Sequence, residues 1–192
     1  MSSGQPVTST VPPRSSARRL LRTALVLGGA GLLTVVSWSG YRLWNGAPYP
    51  EADPNVVVTR LREEIERVHD DLALSRPADE RPDRVETGAC YYRGLRSFAH
   101  IDESRRDVHS FGLDTRTTAV PRAAARTGEE RVRSRLSQQG WKLISENISD
   151  MGFRFENPDT GDMVDVDWYE PTGTLAVSVF APCGKVPEGF AG

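Results

Sequence analysis

The longest apolar stretch of the chain lies near its start. Residues 23–41 carry no charged side chain, and Trp38, Tyr41 and Trp44 stand at the far end of this run. At about 1.5 Å of rise per residue, roughly 20 residues span the hydrocarbon core of a bilayer. The pattern therefore predicts a transmembrane helix over residues 20–44, with the three aromatic side chains in the interfacial belt.

The charges around this run predict its orientation. Residues 1–47 contain five arginines and no acid, and four of the arginines precede the run (Arg14, Arg18, Arg19 and Arg22). By the positive-inside rule, we expect the N-terminus in the cytoplasm and the remainder of a single-pass cell-membrane protein outside. Residues 1–19, rich in Ser, Thr and Pro, are expected to form a disordered cytoplasmic tail.

Two alternatives to an uncleaved anchor follow from the same residues. A buried core helix is disfavoured, because the run is long, uncharged and asymmetrically flanked. A cleaved signal peptide is the closer rival, since Ser37 and Ser39 are small residues at a spacing that signal peptidase tolerates. The run exceeds the usual apolar region of about 7 to 15 residues in a signal peptide. Arg42 and Trp44 also resemble a membrane-exit anchor, which favours the uncleaved form over a secreted product.

An amphipathic helix is predicted after a short stalk at residues 45–53. Asp53 is a suitable N-cap and Pro54 a suitable first helical residue. Apolar residues then recur at spacings of three and four, at Val58, Leu61, Ile65, Val68 and Leu72. This stripe can pack on the core of the domain, or it can pair two copies of the chain as a short coiled coil.

A second helix and a series of strands complete the predicted domain, which extends over residues 54–192. Thr127 and Glu130 match a capping box, although the helix can also begin directly after Pro121. Strands are predicted at 87–93 and 108–113, and then at 141–147, 153–156, 163–169 and 175–180. Proline and glycine in the two turns between the last three strands predict successive hairpins.

Alternation along these hairpins assigns one apolar face to the sheet. Its members are Phe153, Phe155, Val164, Val166, Trp168, Leu175, Val177 and Val179. One or both helices can cover this face, which predicts a two-layer α+β domain built on an antiparallel meander. The same register places Arg154 opposite Asp165 as a cross-strand ion pair.

Composition limits the class of protein. The 192 residues suffice for one globular domain and a tail. Residues 48–192 carry 19 basic and 26 acidic side chains, a net charge of −7. Nucleic acid is therefore not expected as a partner, because binding to phosphates needs clustered positive charge.

The two cysteines, Cys90 and Cys183, both lie in the part predicted to be exported. Outside the cytoplasm, paired cysteines usually oxidise, so we expect a structural disulfide between them. Closing a loop of about 90 residues stabilises a domain by roughly 4 to 5 kcal/mol in the chain-entropy model. A redox pair would favour a Cys-x-x-Cys motif, which the sequence lacks.

Two groups of side chains are candidates for chemistry. Five carboxylates occur within twelve residues, which could indicate a Ca²⁺ site or acid/base chemistry (Asp159, Asp162, Asp165, Asp167 and Glu170). Strand alternation places Asp165 and Asp167 on the same face, while Asp159 and Asp162 belong to a turn. The five are therefore not expected to converge, and we interpret them as a solvated face. His100 and His109, with three acids between them, could form a site if the segment folds back, whereas His69 is expected to bond Glu66 or water. No common catalytic, cofactor or metal motif is present, so no cofactor or bound metal is predicted and an enzyme is the less favoured class.

The chain has 22 arginines and two lysines, a basic tail, a single anchor and two distant cysteines, and it ends in a segment containing Ala181-Pro182-Cys183-Gly184. In this plan it resembles small membrane-anchored or secreted proteins of actinobacteria that have no assigned activity. The resemblance implies a compartment and no catalytic residue. We expect a membrane protein that displays a binding or interaction module of the cell envelope, with the lipid bilayer and an envelope protein or ligand as its partners. The alternative is a cell-surface enzyme that uses the carboxylates or histidines above.

Overall fold

The structure of the protein is a computed structural model that describes residues 38–74, 84–146 and 151–190. The predicted tail and residues 20–37 of the predicted membrane helix lie outside these residues. Residues 38–45 are helical (α1), and in the described ranges no helix is both long and apolar enough to span a bilayer. The membrane span therefore stays a prediction.

The chain divides into two compact units. The described part of the first consists of residues 38–47 and 93–96, where the Leu95 amide donates to the Leu43 carbonyl over 3.1 Å. Gly94 has φ +64°, and a Cβ placed on it would lie 2.4 Å from the Gly46 nitrogen. Only glycine fits here, because the two backbone segments are in direct contact.

The second unit contains a six-stranded antiparallel sheet and its helices, which confirms the α+β class. In chain order the elements after α1 are α2 (Pro54–Leu72), β1 (Glu86–Tyr91), α3 (Arg96–Ala99), β2 (Ser104–Thr117), α4 (Arg122–Gln138), β3 (Lys142–Glu146), β4 (Met151–Glu156), β5 (Met163–Tyr169) and β6 (Thr174–Lys185). The strand order across the sheet is β1-β2-β6-β5-β4-β3.

The predicted meander is confirmed as β4, β5 and β6, with the bounds of β5 as predicted. Strands β2 and β6 are longer than the sequence indicates, at 14 and 12 residues. The reason is that they pair with each other from Thr117↔Leu175 to Val108↔Lys185, a contact between distant parts of the chain. A β-bulge between His109 and Phe111 interrupts this ladder, and so no simple alternation marks the strand.

One face of the sheet carries the core. All eight apolar residues predicted for this face are buried (Phe153, Phe155, Val164, Val166, Trp168, Leu175, Val177 and Val179). Both α2 and α4 cover it: α2 lies against β2 and β6, and α4 against β3, β4 and β5. The sheet and the two helices therefore form the two layers that the sequence predicts.

Helix α2 begins as predicted, since the Asp53 side chain accepts a hydrogen bond of 2.9 Å from the Asn55 amide and Pro54 is the first residue. Of the predicted stripe, Leu61, Ile65, Val68 and Leu72 are at most 1% exposed in the core, while Val58 is only partly buried and Val57 takes the inward position. The apolar stripe of α2 therefore packs in the hydrophobic core of the domain. Homodimerisation of the chain stays a prediction.

The predicted capping box of α4 is wrong. The helix begins at Arg122 with Pro121 as its N-cap, in line with the earlier of the two predicted starts. Thr127 lies inside the helix, where its hydroxyl donates to the Ala123 carbonyl over 3.0 Å. A threonine followed by a glutamate three residues later also fits a helix interior when the hydroxyl bonds to the preceding turn.

The expected stalk is bonded to the domain from Pro50 onward. The Lys185 amide donates to the Pro50 carbonyl over 2.7 Å, and the Ala52 amide donates to the Lys185 carbonyl over 2.8 Å. The Tyr49 hydroxyl also donates to the Tyr91 carbonyl over 2.6 Å. The sequence predicted a short stalk here, and the segment pairs in parallel with the end of β6.

Candidate binding face

The predicted disulfide between Cys90 and Cys183 is present, with a Cα–Cα distance of 6.0 Å. Cys90 lies on β1 and Cys183 on β6, and β2 runs between these two strands in the sheet. The bond therefore ties the edge strand β1 to the longest ladder of the sheet across an intervening strand. Cys90 is 1% exposed, so the bond is shielded on the side of β1.

Asp165 and Asp167 line the same open pocket on the sheet, but the five predicted carboxylates do not converge on one point. Asp162 bonds Arg60, Asp165 bonds Arg154, and Glu170 bonds Arg122. Asp159 lies in the turn between β4 and β5, where its amide donates to the Asn157 side chain. Over the described ranges, no group of three or more His, Cys, Asp or Glu side chains is arranged to hold a metal ion.

The carboxylate of Asp162 is buried in its pair with Arg60. Asp162 is 4% exposed, and its two oxygens accept from Arg60 Nε over 2.5 Å and from Nη2 over 2.8 Å. Such a bidentate pair is stronger than a single ion contact. It joins the first turns of α2 to the residue that precedes β5, so Asp162 acts in the structure and is not offered to a ligand.

The histidines also have separate partners. His69 Nε2 lies 2.8 Å from Thr115 Oγ1, and the predicted bond of His69 to Glu66 or water stays a prediction. His100 Nδ1 lies 2.6 Å from Glu103 Oε2, and its ring stacks on Tyr92 at 4.2 Å between centroids. His109 donates to the Arg106 carbonyl over 3.1 Å and packs edge-on against Phe190. His100 and His109 thus bond to different groups and do not form the shared site considered from the sequence.

The face of the sheet opposite the helices holds a row of polar side chains. The row follows the register Arg154↔Asp165↔Ser178↔Asp114 across β4, β5, β6 and β2. Arg154 donates to Asp165 over 2.7 and 2.5 Å, as the sequence predicts, and this bond raises the pKa of the guanidinium. Asp114, at the other end of the row, is exposed and forms no ion pair among the described residues.

An open groove of about 380 Å³ lies along this row and continues to β1. Its floor consists of small residues, namely Gly88, Ser110, Gly112 and Ser178. A Cβ on Gly88 would lie 2.2 Å from Ser110 Oγ, so a side chain here would force the Ser110 hydroxyl to rotate. The rim carries the carboxylates of Glu86, Asp114 and Asp165 and the half-buried ring of Phe180. We call this groove, with its floor and rim, the sheet groove.

The sheet groove can hold a polar ligand with a positive group. Two of its three carboxylates, Glu86 and Asp114, are exposed and have no bonded cation in the described structure. The third, Asp165, is neutralised by Arg154. Hydroxyl groups of Ser110 and Ser178 can donate or accept. Sequence reasoning missed this site because it draws on four strands that are not consecutive in the chain.

A second shallow groove, of about 400 Å³, lies beside the end of β1. Its lining residues include Tyr91, Tyr92, Phe98, His100 and Ile101. Phe98 and Ile101 are 74% and 72% exposed. They are the two most exposed large apolar side chains in the described part of the chain.

A buried glutamate also escaped the sequence analysis. Glu129 on α4 is 6% exposed, and its Oε1 has no hydrogen-bond partner in the described structure. Burial raises the pKa of this carboxyl to about 7, against the opposing attraction of Arg133. The sequence pattern could have shown this burial. The buried face of α4 has residues at helical spacing, and Glu129 is one of them (Ala125, Glu129, Val132 and Leu136).

Comparison with known protein families, with curated proteins and with solved structures finds no match to this chain. Its function is therefore argued from the site itself.

Proposed function

We propose that the protein is a single-pass membrane protein that displays its α+β domain outside the cell membrane as a binding module of the envelope. In this proposal residues 20–44 form the membrane anchor, the N-terminus is cytoplasmic, and the sheet groove is the binding site. The observation that carries the proposal is the sheet itself: α2 and α4 cover one face, while the opposite face presents a groove lined by charged and hydroxyl groups.

The disulfide supports export of the domain. Disulfides form and persist in oxidising compartments, and they are rare where thiol reductants dominate. The bond between Cys90 and Cys183 joins strands on either side of β2, so it is integral to the sheet. A domain of this construction is suited to the outer side of a cell membrane.

The charges of the sheet groove support a cationic ligand class. Glu86 and Asp114 present negative charge on a domain whose net charge is already negative. Complementary charge steers encounter and selects partners. We therefore propose that the ligand presents a cationic group, such as a lysine or arginine side chain of an envelope protein, with Phe180 as the apolar contact beside it.

An enzyme is the alternative from the sequence, and no observation favours it. In the described structure Asp162, Asp165 and Glu170 are held in separate ion pairs, and the histidines bond different groups. A secreted form after signal cleavage is the other alternative. It differs from the anchored form in its N-terminus and in its fractionation.

The location is tested on the full-length chain. An anchored protein stays in the membrane pellet after carbonate washing and retains its N-terminal sequence. A product that is released by the wash, with a new N-terminus beyond Ser37 or Ser39, would establish the secreted form. External protease that leaves the domain intact while the membrane is sealed would overturn the proposed orientation, provided that the same protease degrades it in detergent.

The binding site is tested by charge reversal within the full-length protein in lipid nanodiscs. Asp114→Lys should abolish capture of a specific partner from envelope extract, because it places a cation where the ligand's cation would bind. Asp159→Lys is the matched control, since Asp159 is an exposed acid in the turn before β5. Retained capture by the Asp159→Lys protein and loss by Asp114→Lys support the proposal. Equal capture by both variants would show that binding takes place elsewhere.

A further inference from the structure

Phe98 and Ile101 are exposed on a turn that is firmly held. The Ser97 carbonyl accepts from the His100 amide over 3.2 Å, and the His100 carbonyl accepts from the Glu103 amide over 3.2 Å. The His100 side chain bonds Glu103 and stacks on Tyr92. We call residues 97–103 the His100 turn. Its backbone is fixed by these bonds, yet its two large apolar side chains are offered to the surroundings.

The spacing of these two side chains suits a single apolar surface. Phe98 lies in the short helix α3, which ends at Ala99, and Ile101 lies in the turn that follows. Both residues line the second groove beside the end of β1, so they belong to one surface. A pair of such side chains without a cover indicates a surface of contact with another molecule or with lipid.

The chain that leads into the His100 turn is bonded to helix α1. The Leu95 amide donates to the Leu43 carbonyl over 3.1 Å, and Arg93 Nη1 donates to the Ala47 carbonyl over 3.4 Å. The close approach of Gly46 and Gly94 brings the two backbones together at the same place. Residues 93–96 are therefore fixed to the C-terminal end of α1.

The end of α1 is where the predicted membrane anchor leaves the bilayer. Trp38, Tyr41 and Trp44 on α1 are 62%, 63% and 52% exposed, as an interfacial belt requires. Leu95, bonded to Leu43, then lies at the depth of this belt. Phe98 is two residues beyond Arg96, so the His100 turn follows this segment directly in the chain.

We propose that the His100 turn is a second membrane contact, in which Phe98 and Ile101 insert into the boundary between headgroups and acyl chains of the outer leaflet. The proposal rests on the membrane anchoring proposed above. The contact is apolar in nature: the inserted residues are uncharged, and Asp102 and Glu103 follow them in the turn. It should therefore need no anionic lipid and should depend only weakly on salt.

Such a contact would restrict the domain that follows the anchor. An anchor with a free linker leaves a domain to rotate over the membrane, whereas a second contact beside the exit point limits that rotation. The ligand site on the domain would then be presented in a defined orientation to the envelope.

Site-directed spin labelling of the full-length protein tests the proposal. The protein is reconstituted in phosphatidylcholine vesicles, and a nitroxide is attached at Phe98→Cys or Ile101→Cys while Cys90 and Cys183 remain in their disulfide. Ile144→Cys is the matched control, because Ile144 is another exposed apolar residue, at 50%. A label at Ala30→Cys, within the predicted membrane helix, reports on the anchor itself.

The expected result is that labels at positions 98 and 101 collide more with oxygen than with a water-soluble nickel complex, while the label at 144 does the opposite. Adding Ile101→Asp to the Phe98→Cys protein should shift the population of inserted label by about tenfold or more toward water, since a charge resists transfer into an apolar phase. Adding Ile144→Asp instead should leave it unchanged.

Three results would overturn the proposal, and each identifies a different failure. An aqueous label at 98 with a lipid-exposed label at 30 would leave the anchor intact and exclude the second contact. An immobile label at 98 that neither oxygen nor nickel reaches would show a protein surface, such as a second copy of the chain, covering the turn. An aqueous label at 30 would overturn the membrane anchor and this inference together.

Discussion

Arg60 on α2 holds both carboxylate oxygens of Asp162, a residue 102 positions later in the chain. The carboxylate is almost fully buried, whereas the guanidinium side chain is 37% exposed. The pair fastens the helix layer to the β4–β5 turn at one end of the sheet. It also explains why one of the five clustered acids is unavailable for metal or acid/base chemistry.

Removing the guanidinium should destabilise the domain strongly. Arg60→Met leaves Asp162 buried without its cation, and breaking a buried pair in this way costs about 3 to 5 kcal/mol; partial exposure of Arg60 places our expectation near 3 kcal/mol. Equilibrium unfolding in urea measures the effect.

The exposed pair of Arg122 and Glu170 is the control, since both side chains are 59% exposed. Glu170→Gln should cost less than about 1 kcal/mol. The double variant Arg60→Met/Asp162→Leu should recover part of the loss, because no charge is then left buried. Equal costs for Arg60→Met and Glu170→Gln would contradict the role assigned to the buried pair.

The stability of the domain should depend on the protonation of Glu129. Its pKa is about 7 in the folded protein and 4.5 in an ordinary environment, so the native state binds the proton more tightly than the unfolded chain does. This contribution is complete below pH 4.5 and is lost as the pH rises to about 7. The loss amounts to roughly 3 kcal/mol.

The groups around Glu129 set the direction of this effect. Arg133 and Arg126 on α4 favour the charged form, while Asp167 on β5 and the neighbouring Glu130 oppose it, and burial outweighs both influences. Glu129→Gln should therefore raise the free energy of unfolding at pH 8 and flatten its change between pH 5 and 8. Glu130→Gln, at an exposed position, should change the slope much less, because Glu130 is the smallest of these influences. A Glu129→Gln protein with the pH profile of the wild type would refute the assignment.

The last three strands could be predicted from the sequence because their information is local. Tight turns containing proline and glycine set the register, and strict alternation in β5 and β6 set the faces, so that Arg154 and Asp165 could be paired without a structure. The stripe of α2 was found for the same reason, with the difference that Val57 and not Val58 points inward.

Long-range contacts explain what the sequence could not show. The pairing of β2 with β6 brings together residues about 60 to 80 positions apart, and it creates both the sheet groove and the long ladder. The bonding of Pro50 and Ala52 to Lys185 likewise depends on an edge that exists only after the sheet has formed. Local sequence patterns cannot predict contacts between segments that are distant in the chain.

Gly128 should be intolerant of a side chain although it lies within a helix. A Cβ at this position would lie 2.9 Å from Leu72 Cδ2 and 3.2 Å from Leu72 Cα, because α4 crosses the end of α2 here. Ala is favoured over Gly in a helix interior by about 1 kcal/mol, but overpacking costs about 1 to 3 kcal/mol. Gly128→Ala should therefore reduce stability by about 1 kcal/mol net.

The matched control for Gly128→Ala is Ser137→Ala, at an exposed position of the same helix. It should stabilise by a few tenths of a kcal/mol through helix propensity alone. Thermal unfolding of both variants separates the two effects. A Gly128→Ala protein that melts above the wild type would show that the two helices can move apart at no cost.

Reduction of the disulfide should weaken the whole domain and not only its edge strand. Cys90 and Cys183 are 93 residues apart, and closing a loop of that size contributes roughly 4 to 5 kcal/mol in the chain-entropy model. Guanidinium titrations with and without a phosphine reductant should therefore give midpoints that differ strongly for the wild type. The double variant Cys90→Ser/Cys183→Ser should unfold like the reduced wild type and should not respond to the reductant.

Loss of the disulfide should also act locally on the edge strand. Because β1 pairs only with β2, the amides of β1 should become exposed to hydrogen exchange before those of β5 and β6. Exchange that rises uniformly over all strands would instead show that the bond stabilises the domain only through the unfolded chain.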